Sequence, residues 1–168
     1  MLSRARSLTI AGIFGLAAIG IGTPIAFATD SAETATSDTP PSAVEDFQYP
    51  GAAAILQSEG IELKKGDGHI VLAACDGSVD QIKVSTVADS GANRKGEYCF
   101  DVTSPSGYLT LTLPRVFALE TGDHPFSADL TANGATTTVN VAEGGFEPVG
   151  EGTVGGARSV LVEIRVTG

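Results

Sequence analysis

The chain has no tryptophan, only two cysteines and few charged residues, since Asp, Glu, Lys and Arg make up 18% of its 168 residues. Lys and Arg number 10 against 20 Asp and Glu, so the clustered positive charge that phosphate binding requires is missing and no nucleic acid partner is expected. A chain with 42% apolar residues and so little charge is typical neither of disorder nor of a coiled coil. The absence of tryptophan also removes the usual stacking platform for sugars.

The first residues predict export. Two arginines precede an uncharged stretch at residues 8–25, and the small-residue tripeptide Ala-Phe-Ala follows at 26–28. This order predicts a secretory signal peptide at 1–28, with cleavage after Ala28. An uncleaved membrane anchor is the alternative, because about 20 apolar residues can span a bilayer, but the glycines and the proline of the stretch argue against it. We expect a secreted, extracellular protein with no membrane segment after cleavage, and its net charge is 8 minus 20, or −12.

The next segment, residues 29–44, reads TDSAETATSDTPPSAV and offers no periodic apolar face. It predicts a disordered tether rich in Ser, Thr, Pro and acidic residues, and its composition leaves O-glycosylation open. The folded domain is predicted to occupy residues 45–168, a length that can bury one core.

The dominant period in this domain is two, which indicates β-strands. In the run 108–113 three leucines alternate with Tyr and Thr, and Pro114 is expected to end the strand. In 160–166 the alternation predicts valine and isoleucine side chains inward, with Glu163 and Arg165 outward. Together with these two runs we predict about nine short strands, the others at 61–64, 69–75, 81–87, 97–103, 115–120, 126–131 and 136–142.

Turn residues separate the strands, and Asn133-Gly134 predicts a type I′ hairpin between 126–131 and 136–142. Only residues 50–59, PGAAAILQSE followed by Gly60, look helical. The sequence therefore predicts an all-β fold: an antiparallel β-sandwich, immunoglobulin-like in the broad sense, with one short N-terminal helix. A closed β-barrel is the alternative.

The two cysteines, Cys75 and Cys99, are predicted to form a structural disulfide, because export would place them in an oxidising compartment. The bond would close a loop of about 25 residues and contribute roughly 3 kcal/mol. Because Cys99 alternates with Phe100 along its strand, we expect the bridge near an edge or end of the sheet. No C-x-x-C spacing supports a redox-active pair.

A search for catalytic motifs finds no nucleophile elbow, zinc-binding helix or P-loop, and no cofactor is predicted. His69 and His124 could act as general bases, with Asp67 and Asp123 close by in sequence, although such residues commonly cap turns. The triplet Asp89-Ser90-Gly91 occurs around serine nucleophiles but is more typical of a loop. No catalytic residue is assigned.

One loop has partial calcium-binding spacing. Asp76, Ser78 and Asp80 occupy positions 1, 3 and 5 of such a loop. Gln81 stands where the turn glycine is required and Val87 where the bidentate glutamate is required. The sequence favours a turn, and the three oxygen-bearing residues remain the candidate metal ligands.

Three blocks of the domain, YPGAAAILQSEGIELKKGDGHIVLAAC, CFDVTSPSGYLTLTLPRVFAL and SVLVEIRVTG, resemble small exported proteins of actinobacteria such as Streptomyces. These proteins carry no assigned activity. The resemblance covers residues 46–168 and implies secretion from a Gram-positive cell, without implying any site residue.

We expect a secreted, non-enzymatic β-sandwich that acts by surface binding, as an interaction, inhibitory or envelope-associated module. Its partner would be an extracellular protein or a cell-envelope component, and the chain would be a monomer. In the inhibitory case the loop 88–96 would enter a protease cleft. The alternatives are a small hydrolase or metal-dependent enzyme that uses His69 or His124 with nearby carboxylates, and an accessory domain of a partner enzyme.

Overall fold

A computed structural model of the chain describes residues 47–168, so the predicted signal peptide at 1–28 and tether at 29–44 lie outside the described residues. The described part is mostly antiparallel sheet with one short N-terminal helix, which confirms the predicted all-β class. In chain order the elements are α1 (Ala52–Glu59), β1 (Glu62–Gly66), β2 (Ile70–Ala73), β3 (Gln81–Thr86), β4 (Glu97–Val102), β5 (Ser106–Thr121), β6 (Phe126–Ala132), β7 (Ala135–Val141), β8 (Phe146–Pro148) and β9 (Ser159–Thr167).

The long strand β5 joins two layers. Its first part pairs with β1 on one side and β9 on the other, and β9 continues to β6 and β7. Its last part pairs with β3 and β8, and β3 continues to β4 and β2. We call β1, the first part of β5, β9, β6 and β7 the first layer, and β2, β4, β3, the last part of β5 and β8 the second layer.

The core lies between the apolar faces of the two layers, which gives a sandwich-like arrangement. Leu109, Leu111 and Leu113 face inward from β5, as their alternation predicts. Phe100 of β4 is the largest fully buried side chain. The strand order runs from β2 to β7 without pairing these two ends, so the described sheet is open and the alternative of a closed barrel is wrong.

The prediction that a strand ends at Pro114 is also wrong. β5 continues through this proline, and the predicted strands 108–113 and 115–120 are one strand. The register with β9 shifts on both sides of Pro114, and Arg115 has a φ of 60°. Pro114 still lies opposite Val160, and Arg115 is the residue left outside the pairing. A proline is tolerated beside such a bulge, because the regular hydrogen bonding is interrupted there, and the strand bends into the second layer.

The inward alternation predicted for residues 160–166 holds only in part. Ile164 and Val166 are buried, but before them the buried residues are Ser159 and Leu161, while Val160 is half-buried. The register between β5 and β9 shifts in this region, and an extra residue in one strand moves the following side chains to the opposite face. The strand β8 was not predicted, since its three residues, Phe-Glu-Pro, show too short a pattern.

The turn and helix predictions are confirmed. Asn133 and Gly134 have φ values of 50° and 80°, as a type I′ turn requires, and they join β6 to β7. α1 ends at Gly60, whose φ of 66° lets its N–H donate to the carbonyl of Leu56 at 3.1 Å.

Candidate functional site

The two cysteines lie on the outer side of the second layer. Cys75 follows β2, Cys99 belongs to β4, and their sulfur atoms are 2.10 Å apart in a disulfide. Cys99 lies opposite Lys83 of β3 and Ala73 of β2 in the register, so the bridge faces away from the core and lies beside the edge strand. The bond holds the loop after β2 against this outer face.

The candidate calcium ligands bind their own loop. The Oδ1 atom of Asp76 accepts a hydrogen bond from the N–H of Ser78 at 2.8 Å, and the Oγ atom of Ser78 accepts one from the N–H of Asp80 at 3.2 Å. These contacts are typical of turns stabilised by side chains. Between residues 47 and 168 the single group of three potential metal ligands within reach of one another is Cys75, Glu97 and Cys99, and its thiols form the disulfide.

The two histidines lie at opposite ends of β5. The Nδ1 atom of His69 is 2.9 Å from the carbonyl oxygen of Ser106, where β5 begins. The carbonyl of His124 accepts a hydrogen bond from the hydroxyl of Thr121, where β5 ends. A hydrolytic site that combines both histidines is therefore not formed.

Each histidine has one carboxylate neighbour. Asp67 is beside His69, with Oδ2 3.6 Å from Nδ1, but its oxygens also accept the N–H groups of His69 and Tyr108 at 3.1 Å each. The Nε2 atom of His124 is 3.4 Å from Oδ1 of Asp80, which sequence proximity did not indicate. The N–H of Asp123, the predicted neighbour, donates to the carbonyl of Val79. These contacts fix turns, and within residues 47–168 neither histidine ring has a hydrogen bond with a serine, threonine or cysteine side chain.

The loop 88–96 is held in place by its own polar groups. It contains a short 3-10 helix, Ser90–Ala92, capped by the carboxylate of Asp89. The amide of Asn93 donates to the carbonyl of Gln57 in α1 at 2.8 Å. The side chain of Arg94 is 8% exposed and donates to the carbonyl of Val87 at 2.8 Å. Arg94 thus holds the loop to the body of the domain, whereas the side chain of Lys95 is 57% exposed.

One mainly apolar concavity is a groove between the edges of the two layers. Residues 47–49 extend the first layer, because the N–H of Tyr49 donates to Lys64 and the N–H of Gly66 donates to Phe47. β2 forms the facing edge of the second layer. We call this opening the flank groove. Its volume is about 560 Å³, and its main lining residues are Phe47, Tyr49, Pro50, Ile55, Asp67 and Val71.

Tyr49 joins the two edges at the groove. Its hydroxyl accepts a hydrogen bond from the N–H of Leu72 in β2 at 2.8 Å. Its neighbours remain open to solvent: the side chain of Phe47 is 48% exposed and that of Val71 is 39% exposed. An aromatic and an aliphatic side chain thus stand exposed on opposite edges of a preformed concavity, as at many binding sites.

Asp67 supplies the charge at this groove. Its carboxylate is 27% exposed, and the two N–H groups it accepts hold it in one position. The ring of His69 lies on one side of the carboxylate, and Gly66, Asp67 and Gly68 together line the groove. The flank groove therefore combines an apolar lining with a fixed negative group.

Two other depressions lie beside the disulfide, with volumes of about 340 and 480 Å³. Two ion pairs lie in these depressions: Nζ of Lys83 is 2.7 Å from Glu120, and Lys95 contacts Glu59. The hydrogen bond to Glu120 raises the pKa of Lys83. Glu97 lines both depressions as well, and neither lining holds two exposed large apolar side chains as the flank groove does.

The flank groove was not foreseen. Phe47 and Tyr49 precede the predicted helix at the start of the domain, and two aromatic residues at alternate positions beside Pro50 were the available signal. Nothing in that signal indicated β2 as the facing wall.

No protein-family model and no curated protein matches the chain. The one α-helix between residues 47 and 168 is not long and apolar enough to cross a membrane. The function must therefore be argued from the chemistry of the flank groove.

Proposed function

We propose that the chain is a secreted, non-enzymatic binding protein that uses the flank groove to hold a segment of another extracellular protein. The observation that carries this proposal is the exposed pair Phe47 and Val71 on opposite edges of the groove. When an apolar side chain of a partner enters the groove, both exposed side chains are buried at once, and this burial of apolar surface favours binding.

The partner segment that fits this groove carries a large apolar side chain next to Lys or Arg. The groove takes the apolar side chain, and the carboxylate of Asp67 attracts the cation. The rest of the described chain favours the same sign, since residues 47–168 contain 8 Lys and Arg against 15 Asp and Glu, a net charge of 8 minus 15, or −7. Acidic surfaces accelerate encounters with basic partners.

The enzyme alternative is less well supported by the geometry. Neither His69 nor His124 lines the flank groove, and the two lie at opposite ends of β5. Their carboxylate neighbours are engaged in turns. Among residues 47–168 neither ring has a hydrogen bond with a nucleophilic side chain, which hydrolysis through an activated side chain would require.

Secretion is part of the proposal and has its own test. The predicted cleavage after Ala28 gives a product that begins at Thr29. Expression of the full chain in a Gram-positive host and intact-mass analysis of the culture fluid should detect this product. A full-length chain retained in the cell pellet would contradict secretion.

Binding can be tested with a short capped peptide that carries Lys-Phe-Lys in a Gly-Ser background. We expect it to shift the amide NMR signals of residues 47–49 and 66–71 of the processed protein, with little effect elsewhere. A peptide that carries Glu-Phe-Glu should bind at least about tenfold more weakly because Asp67 repels it.

Two matched variants locate the contact. Val71→Lys should abolish binding, because it removes an apolar side chain from the groove and repels the basic peptide. Val79→Lys should leave binding unchanged, because Val79 is also exposed, at 56%, but lies outside the groove. If the peptide causes no localised shifts, or if Val71→Lys binds as well as the parent protein, the groove is not the binding site.

A further inference from the structure

The outer edge of β7 has none of the usual protection against strand pairing. β7 lies at one end of the strand order, and no strand between residues 47 and 168 pairs with its outer side. Its sequence, ATTTVNV, contains no charged residue and no proline, and its seven-pair register with β6 has no bulge. Proteins commonly protect a sheet edge with charges, proline or bulges.

The edge at the other end of the sheet is different. β2 has only four residues, and the hydroxyl of Tyr49 already occupies the outward N–H of Leu72. β7 is longer, and five of its seven residues are exposed. The edge at β2 is short and already hydrogen-bonded, whereas the edge at β7 is longer and exposed. β7 is therefore the edge available for pairing.

Hairpin geometry shows which main-chain groups of β7 point outward. Ala132 and Ala135 flank the two-residue turn and form its closing hydrogen-bonded pair. Hydrogen-bonded and non-hydrogen-bonded pairs then alternate along an antiparallel ladder. The N–H and C=O groups that point away from β6 therefore belong to Thr136, Thr138 and Asn140, three positions symmetric about Thr138.

We propose that β7 pairs antiparallel with β7 of a second copy of this chain, about a two-fold axis at Thr138. Thr138 then lies opposite its own equivalent and Thr136 lies opposite Asn140 of the other copy. Each of these pairs is in hydrogen-bonding register, so all outward main-chain groups of the strand are satisfied. The sheets of the two copies become one continuous sheet.

Charge distinguishes a second copy from a strand of another protein. The chain is acidic overall, and an acidic edge would repel its own copy, but β7 is neutral and places no like charges opposite each other. The nearest acid, Asp129 of β6, accepts a hydrogen bond from the hydroxyl of Thr138 at 2.5 Å and stays within its own copy. An uncharged, symmetric edge is suited to self-pairing.

The interface is small, because it consists of one seven-residue strand on each side, and stable dimers bury more area than this. The dimer should therefore form at high concentration and dissociate to the expected monomer on dilution. This inference is independent of the proposed function, since residues 135–141 do not line the flank groove.

Sedimentation velocity of the processed protein, from about 1 μM to about 1 mM, tests the proposal. The parent protein should shift from monomer to dimer across this range. Thr138→Lys and Thr138→Glu should each weaken dimerisation at least about tenfold, because each places like charges at the axis. An equimolar mixture of the two variants should dimerise again, since opposite charges then meet.

Ala53→Lys is the control, because it adds the same charge at an exposed position of α1, which packs on β1, on the other side of the first layer from β7. Asn140→Lys, at the neighbouring outward position, is the second edge variant should Thr138→Lys fail to fold, which circular dichroism would show. A parent protein that stays monomeric at the highest concentration, a dimer that Thr138→Lys and Asn140→Lys leave unchanged, or a mixture that does not recover would each overturn the proposal.

Discussion

Arg115 donates two hydrogen bonds to Glu151, from Nε to Oε1 at 2.9 Å and from Nη2 to Oε2 at 2.6 Å. Arg115 lies in the bulge where β5 bends into the second layer, and Glu151 lies in the short 3-10 helix Gly150–Gly152 before β9. The fork of the guanidinium matches the carboxylate and fixes both partners. The pair therefore ties the bend of β5 to the loop that leads into β9.

This pair predicts a loss of stability in acid. The hydrogen bonds from Arg115 lower the pKa of Glu151. A carboxyl group whose pKa is lower in the folded state stabilises the fold above the pKa of the unfolded chain, near 4.3, and the contribution disappears as pH falls through the folded value. We expect Glu151→Gln to lower the melting temperature at pH 7 and to show a shallower decline between about pH 5 and pH 3.

The measurement is the melting temperature by circular dichroism at several pH values. Glu143→Gln is the control, since Glu143 is an exposed loop residue outside the ion pairs formed by residues 47–168. Its profile should follow that of the parent protein. If Glu151→Gln also follows the parent profile at every pH, the pair does not contribute to acid stability.

The fold class could be predicted because its signals are local. Period-two alternation identified strands, and Asn133-Gly134 identified the one turn that requires positive φ at both positions. Pro114 misled the prediction, because the same residue that ends a regular strand is tolerated at a bulge. A bulge depends on the register of the opposite strand, β9, where the partner of Pro114 is Val160, 46 positions later in the sequence, and this gives no local signal.

The flank groove shows the same limit more strongly. Phe47 and Val71 line one groove only because residues 47–49 add to the first layer and β2 ends the second. Likewise, the carboxylate beside His124 comes from Asp80 of another loop and not from Asp123. Contacts between separate elements depend on topology, and alternation alone does not determine topology.

Removal of the disulfide should cause a large loss of stability. Cys75 and Cys99 are separated by 24 positions, and the unfolded chain gains the entropy of an open loop when both are replaced. We expect the Cys75→Ala/Cys99→Ala protein to have a free energy of unfolding about 3 kcal/mol lower, measured by urea denaturation of the processed chain. The parent protein unfolded in the presence of a reductant should lose a similar amount. Equal stability of the oxidised parent and the double variant would contradict a structural role.

The loop before β9 has no room for a side chain at Gly152. A Cβ atom on Gly152 would clash with the main-chain oxygen of Phe117, which cannot move without disturbing β5. Gly152→Ala should lower the free energy of unfolding by about 1–3 kcal/mol, as other overpacking changes do. Gly96→Ala is the matched control, because there a Cβ would meet its nearest atom, the oxygen of Thr86, at an ordinary 3.8 Å. If both variants have the melting temperature of the parent protein in thermal denaturation, the space at Gly152 does not restrict this position to glycine.

The buried hydroxyl of Tyr98 should make the protein less stable in alkali. Its hydroxyl is buried, donates to the carbonyl of Glu59 at the end of α1 and accepts the N–H of Lys95 at 3.0 Å. Burial raises the pKa of Tyr98, so the neutral phenol is favoured in the fold. A group with a raised folded pKa stabilises the protein below its unfolded pKa, near 10, and the contribution is lost as pH rises through the folded value.

Tyr98→Phe should therefore lower the free energy of unfolding by about 1–3 kcal/mol at pH 7, because the Lys95 N–H and the Glu59 carbonyl lose a partner. The difference in the free energy of unfolding between the parent protein and Tyr98→Phe should decrease above about pH 10, because ionisation of Tyr98 then removes its stabilising contribution from the parent protein. Tyr108→Phe is the matched control, since its ring lies beneath Arg165 and the change leaves that contact in place. Urea denaturation at pH 7 and at pH 10.5, about half a unit above the usual tyrosine pKa, measures both effects. If the difference in the free energy of unfolding is the same at both pH values, the proton of Tyr98 does not contribute to stability.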